Sequence, residues 1–354
     1  MKNITGILLI VLLLVCTTGS SDQISNYQDT ECRREHLSTP EPGTCLKQDA
    51  YRILQIIENI RANPLEKKKY DKIFDLVKPK VYHVLDTVIR EDSLGVPLRI
   101  YYPNKKSMRE TYPIVFYIHG GAFMYGDIEK YDLLAKKISL ATKSIVSSVE
   151  YRLAPDHPFP AAIDDSYCAL EWVANHAEDL GGSKNGICVM GSSAGGNIAT
   201  VLTLKSREKG YPNIACQVLY YPCTTFEETE FPSRLFFLCD STRSYMLTEE
   251  VLRKCRTAYL GPNSDIHDPF LSPLAAKLDS ELPPALIFTA QCDPLRDEAK
   301  LYARELAKAG VEVNYTEYEG SIHGFLSFYM VLDEGKKSLR ESRDFIHDHA
   351  DLQK

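Results

Sequence analysis

The chain of 354 residues has room for one large α/β domain with a subdomain, or for two ordinary domains. At 44% apolar and 25% charged it has the composition of a soluble globular protein, which excludes wholesale disorder. A net charge of −7, from 41 basic and 48 acidic residues with no Lys/Arg cluster, argues against a nucleic-acid partner.

In chain order, the first feature is a leader. Lys2 and the free amine precede an unbroken apolar run from Ile7 to Cys16, followed by Thr17, Thr18, Gly19 and Ser20. Spanning a bilayer takes ~20 apolar residues, so this run is too short to cross. It has the length of a secretory h-region before small cleavage-site residues, and residues 1–20 are expected to be a signal peptide. A buried N-terminal helix and a short signal-anchor are the alternatives. Acylation of Cys16 fits less well, because Val15 is bulky. Secretion permits disulfides among the remaining cysteines 32, 45, 168, 188, 216, 223, 239, 255 and 292. Their number is odd, so at least one stays unpaired within the chain. Cys32 with Cys45 is the first candidate pair and Cys239 with Cys255 the second. Cys168 and Cys188 sit in apolar surroundings and read as core. Without a CxxC or a His-rich cluster, a zinc site is not expected.

Residues 21–80 are polar and partly helical. Ile53, Ile56, Ile57 and Ile60 recur at spacings of three and four, which predicts an amphipathic helix over 51–60, interrupted by Pro64. Strands are predicted over 82–90 and 96–102, with Gly95 in the turn. From Pro113 the pattern alternates. Strands are expected at 114–118, 145–149, 186–190, 215–220, 286–289 and 311–318. Helices are expected at 131–141, 160–180, 194–209, 295–309 and from about 333. Gly181 with Gly182 and Gly210 stop two of the helices. This order predicts a mostly parallel sheet with helices on both faces. Residues 224 to about 282 break the alternation and read as an insertion or cap. No internal repeat or low-complexity tract is present.

Three motifs carry chemistry. Gly191-Ser192-Ser193-Ala194-Gly195 follows an apolar strand and opens a helix, the context a G-x-S-x-G nucleophile elbow requires. Small residues suit its tight, strained turn, and the helix N-terminus favours developing negative charge. His119-Gly120-Gly121-Ala122-Phe123 ends the strand at 114–118. Its glycines free backbone N–H groups which, with that of Ala194, could form an oxyanion hole, each donor worth ~3 kcal/mol in the transition state. His119 itself is expected to shape the loop. Asp293 and His323 stand after the strands at 286–289 and 311–318, so Ser193, Asp293 and His323 follow the hydrolase order Ser…Asp…His at strand ends. The histidine would take the serine proton while the aspartate orients it. Asp293-Pro294 is also an ordinary helix start, and Asp297 is the rival acid, a turn into the helix.

Five stretches together resemble the hormone-sensitive-lipase-like (GDXG-type) branch of the α/β-hydrolase serine esterases. They are His119 to Phe123, Tyr151 to Asp165 (YRLAPDHPFPAAIDD), Gly191 to Gly196, Asp293 to Asp297 and Ile322 to Phe325. The resemblance covers roughly residues 80–350. It implies an α/β-hydrolase core over 81–354, capped by residues 21–80 and the insertion at 224–282. It implies Ser193, Asp293 and His323 as triad, with the N–H groups of Gly121, Ala122 and Ala194 as oxyanion donors and Gly120 in the same loop. It also implies a bracing role for the stretch from Tyr151 to Asp165. Two positions depart from the family: Ala122 replaces a third glycine, and Ser192 replaces the Asp before the nucleophile.

The resemblance implies hydrolysis of small to medium carboxylic esters through an acyl-serine, with no metal or organic cofactor. The partner is a small-molecule ester, with no nucleic acid and no stable membrane span. A secreted, lumenal or periplasmic location is expected. Two alternatives remain: an arylamide or acetyl deacetylase on the same triad, and a non-catalytic small-molecule receptor on the same fold. Phe226, Phe231, Phe236, Phe237 and Leu238 are candidates for an apolar substrate pocket or for packing within the cap. Asn314-Tyr315-Thr316 fits an N-glycosylation acceptor inside a predicted strand, whereas Asn3-Ile4-Thr5 would leave with the signal.

Overall fold

The computed structural model describes residues 46–62, 79–89, 95–104, 111–227, 231–238, 246–262 and 264–350. The leader, Cys32, Cys45, Pro64 and Cys239 lie outside them. Eight strands form one sheet in the order β1-β2-β4-β3-β5-β6-β7-β8. β1 (His83–Ile89) and β2 (Val96–Tyr102) form the predicted antiparallel hairpin, and β2 also pairs antiparallel with β4 (Ile145–Val149). β3 (Tyr112–Ile118), β5 (Gly182–Ser192), β6 (Cys216–Tyr220), β7 (Ala285–Cys292) and β8 (Val313–Ile322) run parallel with their neighbours. The sheet is therefore mostly parallel, as expected.

The central strands read as solid apolar runs because both faces are covered. Along β3, Ile114, Phe116 and Ile118 enter one apolar cluster, while Val115 and Tyr117 enter the other. The first face carries α3 (Ala161–Asn175), α5 (Ala194–Lys209) and α8 (Arg296–Lys308). The second carries α1 (Gln48–Ala62), α2 (Ile128–Thr142) and α9 (Asp333–His349). Burying each of these large apolar side chains contributes about 2 kcal/mol.

The ends of several elements differ from the sequence expectation, each for a local reason. α2 begins earlier, at Ile128, because the Asp127 side chain accepts the Lys130 N–H at 2.7 Å. The single helix expected over 160–180 divides at His176 into α3 and the short α4 (Ala177–Leu180), whose C-cap Gly181 has φ +88°. β5 starts at Gly182, where it pairs with Tyr112 across a register shift, so its polar first residues hide it from apolar periodicity. β8 runs on to Ile322, because the Gln291 Oε1 accepts the Gly320 N–H at 2.8 Å and Cys292 lies opposite Ile322.

The cysteines also depart from expectation. Cys255 is a free, buried thiol, so the pairing with Cys239 does not form. Burial pushes the Cys255 thiol up to about 12. Cys188 and Cys216 are buried thiols opposite each other on β5 and β6, in keeping with a core role for Cys188. The half-cystine among the described residues is Cys292, fully buried at the end of β7.

Candidate active site

β5 delivers Ser193 to the sheet edge. The chain turns there directly into α5, and Ser193 holds φ +55° and ψ −120°. Such a conformation costs a non-glycine residue ~1–3 kcal/mol and survives only where its surroundings fix it. The Ser193 N–H donates to the Tyr220 carbonyl on β6 at 2.9 Å, and the Ser193 carbonyl accepts the Asn197 N–H at 3.1 Å.

Asp293 and His323 arrive together. Cys292 and Ile322 are register partners on β7 and β8, so the residues that follow leave the sheet side by side. The His323 Nδ1 donates to the Asp293 Oδ2 at 2.7 Å, and the His323 Nε2 lies 3.0 Å from the Ser193 Oγ. The other carboxylate oxygen of Asp293 accepts the Leu295 N–H at 2.9 Å, and Asp293 is fully buried. The Tyr221 ring covers the imidazole at 4.6 Å between centroids. The rival Asp297 is occupied elsewhere, accepting from the Arg296 Nε at 2.7 Å and the Ser233 N–H at 2.8 Å. Burial alone would raise the Asp297 carboxyl, but its bonds to Arg296 and Ser233 leave it below the ordinary range.

The loop after β3 faces the elbow. A side chain at Gly120 would place its Cβ 2.8 Å from the Ser192 carbonyl oxygen, so only glycine lets the loop approach the nucleophile this closely. Gly121 has φ +129°, and a Cβ there would sit 2.0 Å from the Tyr125 carbonyl oxygen. Gly121 in turn accepts the Met124 and Tyr125 N–H groups at 3.1 and 2.9 Å. Ala122, in the place of the family's third glycine, sits at φ +53°, a left-handed conformation costing ~1–2 kcal/mol. Ser192, the second departure, is buried.

His119 shapes this loop, as expected. Its ring is fully buried between Tyr151 at 4.4 Å and Tyr131 at 5.0 Å. Its Nδ1 donates to the Gly120 carbonyl at 2.8 Å, and the Tyr151 hydroxyl donates to the His119 carbonyl at 2.9 Å. Burial lowers its pKa to about 4, so the ring is neutral. The stretch from Tyr151 to Asp165 braces the loop. The Ala154 N–H donates to the Phe123 carbonyl at 2.9 Å. Arg152 clamps Asp165 through Nη2 at 2.7 Å and Nε at 2.8 Å.

A cavity of about 110 Å³ opens over Ser193 and His323. Ala122 and Tyr125 line it from the loop, Met246 and Leu247 from the segment before α7 (Glu249–Tyr259), and Val251 from the first turn of α7. The phenylalanines, candidates for this wall or for packing within the cap, do not line it and pack against other side chains. Phe226 lies 5.7 Å from Phe123 and 5.6 Å from Tyr259; Phe231 lies under the Arg234 guanidinium at 5.4 Å; Phe236 and Phe237 meet edge to face at 4.8 Å. Sequence reasoning missed Met246, Leu247 and Val251 because the first two precede a short, charge-rich helix and the third lies in its acidic first turn; the Thr248 cap, which accepts the Val251 N–H at 3.2 Å, was the available signal.

It also missed a buried ion pair. Glu298 is fully buried on α8, accepting the Thr224 N–H at 2.8 Å and a bond from Arg234 on α6 (Pro232–Leu238). Burial raises the Glu298 pKa, with the negative charge of Asp293 adding to the effect. Among the described residues no cluster of His, Cys, Asp and Glu could hold a metal ion, and no helix is long and apolar enough to cross a membrane.

A strained serine at a strand-to-helix turn, a buried acid–imidazole pair reaching it and a glycine loop opposite it are the arrangement of a serine hydrolase on an α/β-hydrolase core. A family model described as the alpha/beta hydrolase fold matches residues 115–327. The chain is 39% identical over 251 residues to carboxylesterase NlhH of Mycobacterium tuberculosis, covering 70% of this chain and 76% of that one. It is 31% identical over 280 residues to an arylesterase of Saccharolobus solfataricus, covering 75% and 88%. Among solved structures, a hyperthermophilic esterase from the archaeon Pyrobaculum calidifontis superposes with a TM-score of 0.76 at 35% identity, covering 86% of this chain and 98% of that one. The chain belongs to the α/β-hydrolase fold family, in its hormone-sensitive-lipase-like branch, and is a carboxylic ester hydrolase.

Proposed function

We propose that this enzyme cleaves small to medium carboxylic esters by two-step acyl transfer, with Ser193 as nucleophile, His323 as general base and Asp293 as its orienting acid. The observation that carries the reading is the continuous relay of 2.7 Å and 3.0 Å from Asp293 through His323 to Ser193. His323 takes the Ser193 proton as Oγ attacks the ester carbonyl. The oxyanion is received by the N–H groups of Gly121, Ala122 and Ala194, with Gly120 giving the loop its close approach. His323 then protonates the departing alcohol, and water repeats the cycle on the acyl-serine.

The Asp293 carboxylate holds the imidazole Nδ1–H, which fixes the tautomer that leaves Nε2 free to accept. The cavity bounded by Met246, Leu247 and Val251 suits a compact acyl or alcohol group. Residues 224–282 act as a cap on the α/β body, while α1 of the 21–80 segment packs on the second face of the sheet. The chain enters a secretory route through residues 1–20, a reading supported by the apolar run from Ile7 to Cys16 and by the disulfide-bonded state of Cys292.

Ser193→Ala is expected to abolish turnover of a short p-nitrophenyl ester while circular dichroism and thermal midpoint stay unchanged. Retained turnover in that variant refutes the assignment.

A further inference from the structure

Asn314-Tyr315-Thr316 is the N-x-[Ser/Thr] pattern that outlasts removal of the leader. Such a pattern becomes a modification site only where the asparagine side chain can carry a bulky substituent in the folded protein. β8 provides that. Val313 and Tyr315 turn toward the apolar cluster that packs α8, so Asn314 between them turns to the opposite face, where it is exposed. Among the described residues its side-chain amide has no hydrogen-bond partner. Among the described residues β8 is an edge strand of the sheet, with Asn314 opposite Leu286 of β7. Asn314 also stands near the start of β8, whereas His323 follows its end. At about 3.3 Å per strand residue the two are roughly 30 Å apart, so a substituent at Asn314 leaves the cavity open.

We propose that Asn314 is an N-glycosylation site. The Nδ2 atom attacks C1 of an oligosaccharide carried on a lipid pyrophosphate. The C1–O bond breaks as the C1–N bond forms, the amide loses one proton, and the lipid pyrophosphate leaves with the bonding electron pair. The transfer takes place on the chain before it folds, so the strand position does not prevent it; the folded strand then holds the glycan outward. This inference rests on the secretory reading of residues 1–20.

The test expresses the full chain with its own leader in a eukaryotic secretory cell line, then treats the product recovered from the medium with peptide-N-glycosidase. The wild type should run above its polypeptide mass and collapse to it on treatment, with Asn314 converted to Asp in the peptide map. Asn314→Gln and Thr316→Ala should lose the shift, and Thr316→Ser should keep it. If Asn314→Gln fails to fold, Thr316→Ala decides. Ester hydrolysis should be the same with and without the glycan. Wild-type protein in the medium at bare polypeptide mass would overturn this inference and leave secretion standing. Protein retained in the cytosol with residues 1–20 attached would overturn both.

Discussion

Asp293 and Asp297 lie on consecutive turns of the same segment, yet only Asp293 meets an imidazole. Asp297 spends its charge on Arg296 and on the Ser233 N–H. Asp293→Asn should therefore lower kcat by roughly 10⁴-fold, because the amide favours the wrong imidazole tautomer. Asp297→Asn should leave kcat near wild type; steady-state kinetics on one ester separates the two. Buried His119 gives a second residue-scale expectation. Its folded pKa of about 4 lies below the ordinary 6.5, so the unfolded chain binds a proton more readily. Its contribution is complete above pH 6.5, shrinks as pH falls from 6.5 to about 4, and amounts to ~3 kcal/mol across that window. His119→Gln should flatten the fall in thermal midpoint over the same range; an unchanged slope would contradict the assignment. The proposed catalytic positions Ser193, Asp293 and His323 were legible because their chemistry is local: each sits in a short motif at a strand end. The cavity wall was not, because Met246, Leu247 and Val251 acquire a role only when α7 folds back over the serine.

At the scale of elements, a buried charge pair helps fasten Thr224 and Arg234 to α8. Glu298 has no exposed surface, and it holds both the Thr224 N–H and the Arg234 guanidinium. Arg234→Met leaves that carboxylate without its partner and should cost on the order of 3 kcal/mol. Adding Glu298→Leu should restore part of the loss, which denaturant titration of the single and double variants will read. The alternation of strands and helices was legible throughout the parallel region, since strands buried on both faces are continuous apolar runs. Element ends were less so. β5 begins in polar residues because pairing with Tyr112 decides its start, and β8 extends to Ile322 because a Gln291 side chain supports it. Both depend on contacts between strands distant in sequence, which periodicity does not record.

For the whole molecule, the cysteine pattern was the least legible feature. Half-cystine partners are chosen by the fold, and Cys292 lies within an apolar strand where a thiol would look like core. Peptide mapping without reduction should find Cys292 in a cross-linked peptide. Reductant should lower the thermal midpoint by an amount equivalent to about 2–4 kcal/mol, and Cys292→Ser should reproduce it. Recovery of Cys292 as an alkylated thiol from unreduced protein would contradict this.

The shared rung of Cys292 and Ile322 has a mechanical meaning. The proposed acid and base directly follow two hydrogen-bonded neighbours at one side of the sheet, while the proposed nucleophile directly follows β5, with β6 in between. The two mountings meet across the 3.0 Å between the imidazole and the serine hydroxyl. Both groups line the cavity, so an ester entering it meets the junction between the two mountings.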